Sequence, residues 1–339
     1  MRIKKAVALM LVLILITFLC SCKNSKAAFS SQNVVMDTTL SQKTYGESDV
    51  SGKVFTALSE WESRLSAFKD GSEIHRINNA NGKAVSVSEQ TFQLVKKAVE
   101  YSKQSEGSFD ISVYPLSSLW KDAIRDKKLA DQKDILSAKT QVDFSKIVLD
   151  SKQNSIQIPK GMGLDLGAIA KGAALNAVRE IYEESGVSGA ICSLGSSAML
   201  LYKNKGGEDF RIGLKNPFEA NKGELFATLS LSDCVISTSG GYERCTEIDG
   251  KQYHHIIDTK TGYPAESDIA SVTVVGQDGA FCDYMSTRLF LEGFEKAAEI
   301  VEQNDICAVI VTENKKVYVS KNLENKFKIT DSSFERINK

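Results

Sequence analysis

Apolar residues recur every three to four positions in three stretches of the chain, a spacing that places them on one face of an α-helix. The first predicted helix ends near residues 69–71. Its apolar positions are Phe55, Leu58, Trp61, Leu65 and Phe68. The second predicted helix covers residues 89–103, and the third covers residues 168–184. Each would bury one face against the rest of the domain.

The second half of the chain has a different pattern, with short segments rich in β-forming residues. Predicted strands lie at residues 190–194, 210–214, 225–231, 271–275, 306–312 and 316–319. Asp249 and Gly250 stand between two polar-apolar runs and predict a tight hairpin turn. Two further helices are predicted at residues 283–291 and 294–303. Strands and helices that do not alternate strictly indicate an α+β fold.

The first residues have the pattern of a secretory signal. Arg2, Lys4 and Lys5 precede an apolar run over residues 6–19. This run is short for a membrane span, which needs roughly 20 apolar residues. An uncleaved N-terminal anchor is the alternative interpretation. The pattern favours export of the rest of the chain.

Two cysteines follow the apolar run, and Cys22 is the predicted lipidation site. A small residue must precede the acylated cysteine of a bacterial lipoprotein, and Ser21 precedes Cys22, whereas the bulky Leu19 precedes Cys20. We therefore expect a signal peptide at residues 1–21, a lipid anchor and polar tether at 22–33, and the functional domain at 34–330. Diacylation at Cys22 would hold the protein at the extracytoplasmic face of the cell membrane.

Composition excludes several classes of protein. The formal net charge of −1 and the lack of a basic run argue against a nucleic-acid partner. The five cysteines beyond Cys22 are widely spaced and form no CxxC, so neither a disulfide framework nor a zinc site is predicted. No GxGxxG or GxxxxGK[ST] sequence is present. The length suffices for one large domain or two interlocked lobes.

Four clusters place small and polar residues where a core pattern would have apolar ones. They are residues 107–110 (GSFD), 163–172 (GLDLGAIAKG), 253–264 (YHHIIDTKTGYP) and 283–287 (DYMST). In the second cluster a glycine-rich turn leads into a helix, whose first backbone N–H groups can bind phosphate while Lys171 adds charge. A glycine turn followed by a solvated lysine is the alternative interpretation.

The last two clusters suggest a base and a metal site. Neighbouring residues of a strand point to opposite faces, so at most one of His254 and His255 can face a given site. A structural histidine is the alternative. Asp283 and Thr287 are four residues apart on a predicted helix, which places a carboxylate and a hydroxyl on one face. Such hard oxygen ligands suit Mg²⁺. The alternative is a helix N-cap at Asp283 with a buried threonine.

Six segments, taken in order, resemble the ApbE family, the FAD:protein FMN transferases. The segments are 72–78 (SEIHRIN), 107–110 (GSFD), 165–172 (DLGAIAKG), 237–240 (STSG), 254–264 (HHIIDTKTGYP) and 283–287 (DYMST). The resemblance runs from about Val34 to Gln303. It implies two interlocked lobes with mixed or antiparallel sheets and packed helices.

The resemblance also implies roles for individual residues. Those that would bind FAD are Met36, Phe68, Ser108, Phe109, Asp110, Asp165, Lys171, Ile257 and Ser286. Those that would hold Mg²⁺ are Ala168, through its backbone carbonyl, and the side chains of Asp283 and Thr287. The chain departs from the family pattern at four positions, where glycine, glycine, proline and alanine are usual. These positions are Asp37, Ser196, Thr259 and Cys282.

The reaction implied by the resemblance moves FMN from FAD to a threonine or serine hydroxyl and releases AMP. The acceptor would be a flavoprotein of an extracytoplasmic or membrane electron-transfer chain. Mg²⁺ would neutralise the pyrophosphate and polarise the phosphorus under attack. His255 is the candidate catalytic base, because the other catalytic candidate, Asp283, is committed to the metal. Two alternatives stay open: an FAD pyrophosphatase that releases FMN and AMP, and a lipoprotein that binds flavin without catalysis.

Overall fold

The computed structural model describes residues 27–338, except residues 205, 220 and 221. The predicted signal peptide and the lipidation site Cys22 lie outside the described residues. The strands are β1 (Ala27–Val35), β2 (Thr38–Gly46), β3 (Val85–Ser86), β4 (Val148–Asp150), β5 (Ser155–Gln157), β6 (Gly189–Leu194), β7 (Ala198–Tyr202), β8 (Phe210–Lys215), β9 (Leu225–Leu231), β10 (Cys234–Gly240), β11 (Cys245–Ile248), β12 (Lys251–His254), β13 (Ile257–Asp258), β14 (Tyr263–Pro264), β15 (Ile269–Gly276), β16 (Cys307–Thr312), β17 (Lys316–Val319), β18 (Phe327–Ile329) and β19 (Glu335–Ile337).

Helices form both where the apolar periodicity predicts them and elsewhere. They are α1 (Ser51–Leu65), α2 (Glu73–Asn78), α3 (Glu89–Gln104), α4 (Tyr114–Asp126), α5 (Gln132–Lys139), α6 (Ala170–Glu184), α7 (Gly279–Glu292) and α8 (Phe294–Gln303). None of the helices in the described part of the chain combines the length and apolarity that a membrane span requires.

Two predicted helix ends are corrected by the structure. Helix α1 ends at Leu65 rather than near residue 70, because Ser66 adopts an extended conformation and its carbonyl accepts a hydrogen bond from the Ser72 hydroxyl. Helix α7 begins at Gly279 rather than residue 283, because the Asp278 side chain caps it by accepting from the Ala280 N–H. Asp283 is therefore inside the helix and is not its N-cap.

A nine-stranded sheet forms the centre of the molecule, in the order β1-β2-β6-β7-β10-β15-β16-β17-β19. Its strands are antiparallel except for the parallel pair β17 and β19. Helices α6 and α7 pack on one face of the sheet, and the small sheet β18-β9-β8 packs on the other. Successive residues of β10 join different cores, Val235 on the helix side and Ile236 on the small-sheet side. This confirms the predicted α+β fold with mixed and antiparallel sheets.

A third, smaller core joins α4 and α5 to the hairpin β13–β14. It contains Leu116, Trp120, Ile135 and Ile257, and the Trp120 indole N–H donates to the Gly262 carbonyl at 2.8 Å. The predicted hairpin turn is also confirmed, since Asp249 and Gly250 both have positive φ between β11 and β12.

The N-terminal strand corrects part of the predicted tether. Residues 27–33 belong to β1, which pairs with β2 from Ala27 to Val35. Most of its side chains are exposed, so the polar composition that indicated a tether is equally compatible with an edge strand. The strand is held by backbone hydrogen bonds to β2 rather than by burial of apolar side chains. Residues 22–26 of the predicted tether lie outside the described part of the chain.

Candidate functional site

A cavity of about 560 Å³ opens between the central sheet, α7 and the lobe formed by α4 and α5. It brings together twelve of the thirteen residues that the sequence assigns to FAD, Mg²⁺ or catalysis. Those that line the cavity are Met36, Phe68, Ser108, Phe109, Asp110, Asp165, Ala168, Lys171, His255, Ile257, Asp283 and Thr287. Ser286 is the exception, because its side chain is fully buried behind the cavity wall.

Asp283 lies at the inner end of the cavity with its carboxylate almost entirely buried. One carboxylate oxygen accepts from the backbone N–H of Gly172 at 2.7 Å, and the other accepts from the Ser237 hydroxyl. Burial raises the pKa of Asp283, while nearby Lys171 and the two hydrogen bonds act in the opposite direction. The carboxylate is thus fixed in place by a helix backbone on one side and a strand on the other.

Helices α6 and α7 cross at Gly172 and Gly279, and their close approach depends on these two glycines. A Cβ atom on Gly172 would lie 1.9 Å from the carbonyl oxygen of Gly279 and 2.9 Å from the Asp283 carboxyl carbon. Any side chain at either glycine would therefore push the helices apart. The contact lets the N–H of Gly172 reach Asp283. That N–H is consequently committed to a carboxylate and is not available for phosphate. Phosphate binding by the other N–H groups at the start of this helix stays a prediction.

Hydroxyl groups extend from Asp283 along the surface between β10 and α7. The Ser286 hydroxyl lies 2.8 Å from that of Ser239 and donates to the Asp283 carbonyl at 3.0 Å. The Ser239 hydroxyl lies 3.1 Å from that of Thr287. Ser286 therefore orients cavity groups from behind, and its side chain does not line the cavity. Its contact with FAD stays a prediction.

Lys171 lies in the first turn of α6 and points into the cavity rather than into bulk water. Its ammonium group donates to the Ser197 hydroxyl in the turn between β6 and β7. Burial lowers the pKa of Lys171, and the Asp283 carboxylate acts in the opposite direction. The solvated-face interpretation of this lysine is therefore excluded.

The two adjacent histidines have different surroundings, because His254 is the last residue of β12 whereas His255 follows the strand. His254 accepts from the Ile256 N–H through Nδ1 at 3.2 Å, so Nε2 carries the proton that bonds the Ala265 carbonyl at 3.1 Å. His255 lines the cavity. Its side chain is open to the cavity, but protein surrounds that space and lowers the pKa of His255 to about 3, assisted by Arg244. The imidazole is neutral at pH 7.

Three residues that are predicted to contact FAD are held in place by hydrogen bonds to neighbouring residues in the fold. Asp110 accepts from the N–H and the hydroxyl of Ser112, both at 2.7 Å, and burial raises the pKa of Asp110. Asp165 accepts from the Ser117 hydroxyl at 2.6 Å. The Ser108 hydroxyl donates to Glu292 at 2.9 Å. These hydrogen bonds fix the positions of Ser108, Asp110 and Asp165 in the cavity wall.

The mouth of the cavity is aromatic and cationic. The ring of Phe68 is 38% exposed, with the ammonium of Lys121 3.5 Å from the ring centroid and Tyr114 at a centroid distance of 5.4 Å. Met36 lies in the β1–β2 turn with a φ of 53°, and Phe109 is buried against Tyr284. A flat, partly apolar group fits such an opening better than a small polar one.

Several cavity residues were not singled out by the sequence analysis, and Arg244 is foremost among them. Its guanidinium donates to the Asp37 carbonyl at 3.3 Å, and within the described residues it forms no ion pair with a carboxylate. Ser197 and Glu243 also line the cavity. A basic residue shortly after the 237–240 segment was the available signal, but a lone exposed arginine is common on protein surfaces.

The oxygen donors of the cavity suit a Mg²⁺ ion that shares its ligands with a phosphate. Asp283, Thr287 and Ala168 offer one carboxylate, one hydroxyl and one carbonyl oxygen to the same space. Mg²⁺ commonly takes one or two carboxylates together with waters and substrate phosphates. In the described part of the chain no three His, Cys, Asp or Glu side chains cluster as a metal site. The donor set therefore fits a shared site and not a closed protein cage.

Comparisons with known proteins show which family the chain resembles. The sequence model described as the ApbE family matches residues 36–311. The chain is 33% identical to a protein of Klebsiella pneumoniae named FAD:protein FMN transferase, over 91% of this chain and 97% of that protein. It is 28% identical to a protein of the same name from Treponema pallidum, over 83% and 82% of the two chains.

Solved structures show the same fold. The ApbE protein of Thermotoga maritima superposes with a TM-score of 0.81 at 24% identity, covering 88% of this chain and 99% of that one. The flavin transferase ApbE of Vibrio cholerae gives a TM-score of 0.78 at 23% identity, covering 89% and 99%. The matched range and the level of identity lead to one conclusion: the chain belongs to the ApbE family.

Proposed function

We propose that this chain transfers FMN from FAD to a threonine or serine hydroxyl of an acceptor flavoprotein, in a Mg²⁺-dependent reaction that releases AMP. The observation that supports the proposal most directly is the convergence of Asp283, Thr287, Ala168, Lys171 and His255 on one cavity with an aromatic mouth. Two relatives that are 33% and 28% identical to this chain carry the name FAD:protein FMN transferase.

Charge in the cavity suits a pyrophosphate with a divalent cation. Lys171 and Arg244 would attract the two phosphates, whereas the buried Asp283 would repel them unless a cation lay between. Asp283, Thr287 and Ala168 would hold that cation. When bound, Mg²⁺ neutralises phosphate charge and makes phosphorus more electrophilic.

His255 is the proposed base that accepts the proton of the acceptor hydroxyl. A pKa of about 3 makes the imidazole neutral and therefore able to accept a proton, although only weakly. Two anionic phosphates beside the ring would raise its pKa towards neutrality. Ser237 and Gly172 would keep Asp283 oriented throughout, since both contacts come from rigid elements.

The aromatic mouth is the proposed site of the flavin ring. Phe68 offers an exposed face, and Met36, Phe109 and Ile257 add apolar surface to the wall. The acceptor is proposed to be a flavoprotein of an extracytoplasmic or membrane electron-transfer chain, reached by an enzyme that Cys22 anchors to the cell membrane.

The test of the metal site uses Asp283→Asn and Asp283→Ala, with Asp134→Asn on the exposed face of α5 as the matched control. Both Asp283 variants should lose AMP release and FMN transfer by orders of magnitude, because phosphoryl transfer depends on electrostatic stabilisation. The measurement is the initial rate of AMP release across a Mg²⁺ titration, with FAD binding measured in parallel. A variant that turns over near the wild-type rate at low Mg²⁺ would place the metal elsewhere.

The test of the transfer reaction is mass spectrometry of extracytoplasmic flavoproteins from cells with and without this chain. An FMN-sized addition on a threonine or serine, present only with the active chain, is the expected result. Release of FMN and AMP from FAD with no modified protein would indicate an FAD pyrophosphatase instead. Tight FAD binding with no AMP released over hours would indicate a flavin-binding protein.

A further inference from the structure

A second cavity of about 470 Å³ lies on the opposite face of the central sheet from Asp283. Its floor is the sheet itself, since β2 contributes Thr39 and Ser41 and β15 contributes Ser271 and Thr273. Residues two apart on a strand share a face, so these pairs show that the strands present their surface to the cavity. We call this cavity the sheet groove.

One wall of the sheet groove is the edge of β8. Four consecutive residues of this strand, from Ile212 to Lys215, line it. Consecutive residues point to opposite faces, so a strand that lines a cavity with all of them presents its edge. β8 is the outer strand of the small sheet, and within the described residues only β9 pairs with it. Its free edge therefore offers unpaired backbone N–H and C=O groups to the groove.

The cavity that contains Asp283 and Lys171 is the proposed FAD site, and we call it the FAD cavity. The sheet groove and the FAD cavity meet at one end of the central sheet. In the β6–β7 turn Ser196 lines the groove, and its neighbour Ser197 lines the FAD cavity beside Lys171. On β10, Thr238 borders both cavities. A chain that follows the edge of β8 would therefore reach the FAD cavity by passing around this turn.

We propose that the sheet groove binds the acceptor protein as an extended segment, which pairs with the free edge of β8 and carries its threonine or serine around the β6–β7 turn. An added strand is the occupant that fits both a free edge and a floor made of a strand face. The half-buried floor residues Ser41, Ser193 and Met199 leave room for the side chains of such a strand. This assignment rests on the proposed FMN transfer.

The transfer step then balances without another reactant. The acceptor hydroxyl oxygen forms a bond to the FMN phosphorus, and the P–O bond that links this phosphorus to the bridging oxygen breaks. AMP leaves with the electron pair of that bond, and the hydroxyl proton passes to His255. The groove contributes position alone, by holding the hydroxyl where it can attack.

The experiment fills the groove with Ser193→Trp and, as a second variant, Met199→Trp. Ser230→Trp on the exposed face of β9 is the matched control, because Ser230 lies outside the groove. The probe is the purified, unmodified form of the flavoprotein that mass spectrometry identifies as modified. Both groove variants should raise the KM for this acceptor about tenfold or more. The KM for FAD and the slow release of AMP without acceptor should stay within about twofold of wild type.

A second measurement does not depend on substitutions. Adding the acceptor to the wild-type chain should slow amide hydrogen exchange in residues 210–215, since new backbone hydrogen bonds would form there. Unchanged exchange in β8 or an unchanged acceptor KM in both groove variants would overturn the proposal. An equal rise in the KM for FAD would show that the groove holds part of FAD, and loss of a wild-type dimer would show that it holds a second copy of the chain.

Failure of the proposed function gives a different result. In that case no flavoprotein gains FMN from the wild-type chain, and the groove proposal falls with it. If the wild type transfers FMN and the groove variants retain their acceptor KM, only the groove assignment is wrong.

Discussion

Asp283 illustrates how a single residue acquires its properties from distant parts of the chain. Its partner Gly172 is 111 residues away in sequence, and Ser237 is 46 residues away. The sequence predicted a carboxylate and a hydroxyl on one helix face. It could not predict the burial that raises the pKa of Asp283, because burial depends on how two helices and a sheet pack.

Lys171 is expected to contribute to FAD affinity through its charge. Lys171→Met, which keeps most of the side-chain volume, should weaken FAD binding by about 1–3 kcal/mol, as expected for a charge-assisted hydrogen bond. Lys328→Met, on the exposed face of β18, is the matched control and should bind FAD like wild type. The measurement is a fluorescence titration of FAD, and equal affinities for Lys171→Met and wild type would remove Lys171 from the phosphate site.

His255 should make folding stability depend on pH. Its pKa is near 3 when folded and near 6.5 when exposed, so between these values the unfolded chain binds a proton that the folded chain does not. The free energy of unfolding should therefore fall as pH decreases below about 6.5. His255→Gln should lose less stability than wild type between about pH 7.5 and about pH 5 in urea unfolding. Parallel losses in the two proteins would mean that His255 does not have a lowered pKa.

Among the elements, the crossing of α6 and α7 is the contact on which the cavity most depends. Gly172→Ala should destabilise the fold by about 1–3 kcal/mol or more, because the added methyl meets backbone that cannot move without separating the helices. FAD turnover should fall as well, since Asp283 would lose its hydrogen bond from the Gly172 N–H.

Gly52→Ala provides the opposite control within the same protein. Gly52 is in α1, and no atom lies within 4 Å of the position its Cβ would take. Alanine there should raise stability by about 0.5–1 kcal/mol. Thermal unfolding of both variants measures the contrast, and a Gly172→Ala protein as stable as wild type would show that the helices can separate at little cost.

Element prediction succeeded for five helices that carry their apolar residues on one face. Helix α4 was not predicted, although it has Pro115 in its first turn and buries Leu116, Trp120 and Ala123, so its signal was present in the sequence. β1 was missed because its side chains are mostly exposed, and such a strand has no core-facing pattern. The sequence of β1 alone does not reveal its pairing with β2, because pairing depends on the residues of both strands.

For the whole molecule, we propose that a lipid anchor at Cys22 holds the enzyme at the membrane. Cys22→Ala should release the protein from the membrane fraction, because the exported chain would then carry no lipid to anchor it. Fractionation of cells followed by immunoblotting measures the distribution. Membrane retention of Cys22→Ala, or release only in Cys20→Ala, would contradict the assignment.

The sequence by itself determined the residue types of the site, the main helices and the α+β class. These are recorded in local spacing, since periodicity over a few residues reports which face of an element is apolar. The tertiary structure alone decided the order of the nine strands, the glycine crossing that orients Asp283, the burial of Ser286 and the position of Arg244. It also placed the free edge of β8 beside the turn that borders the FAD cavity. These features arise from contacts between segments far apart in the chain, and no local pattern encodes which segments will pack together.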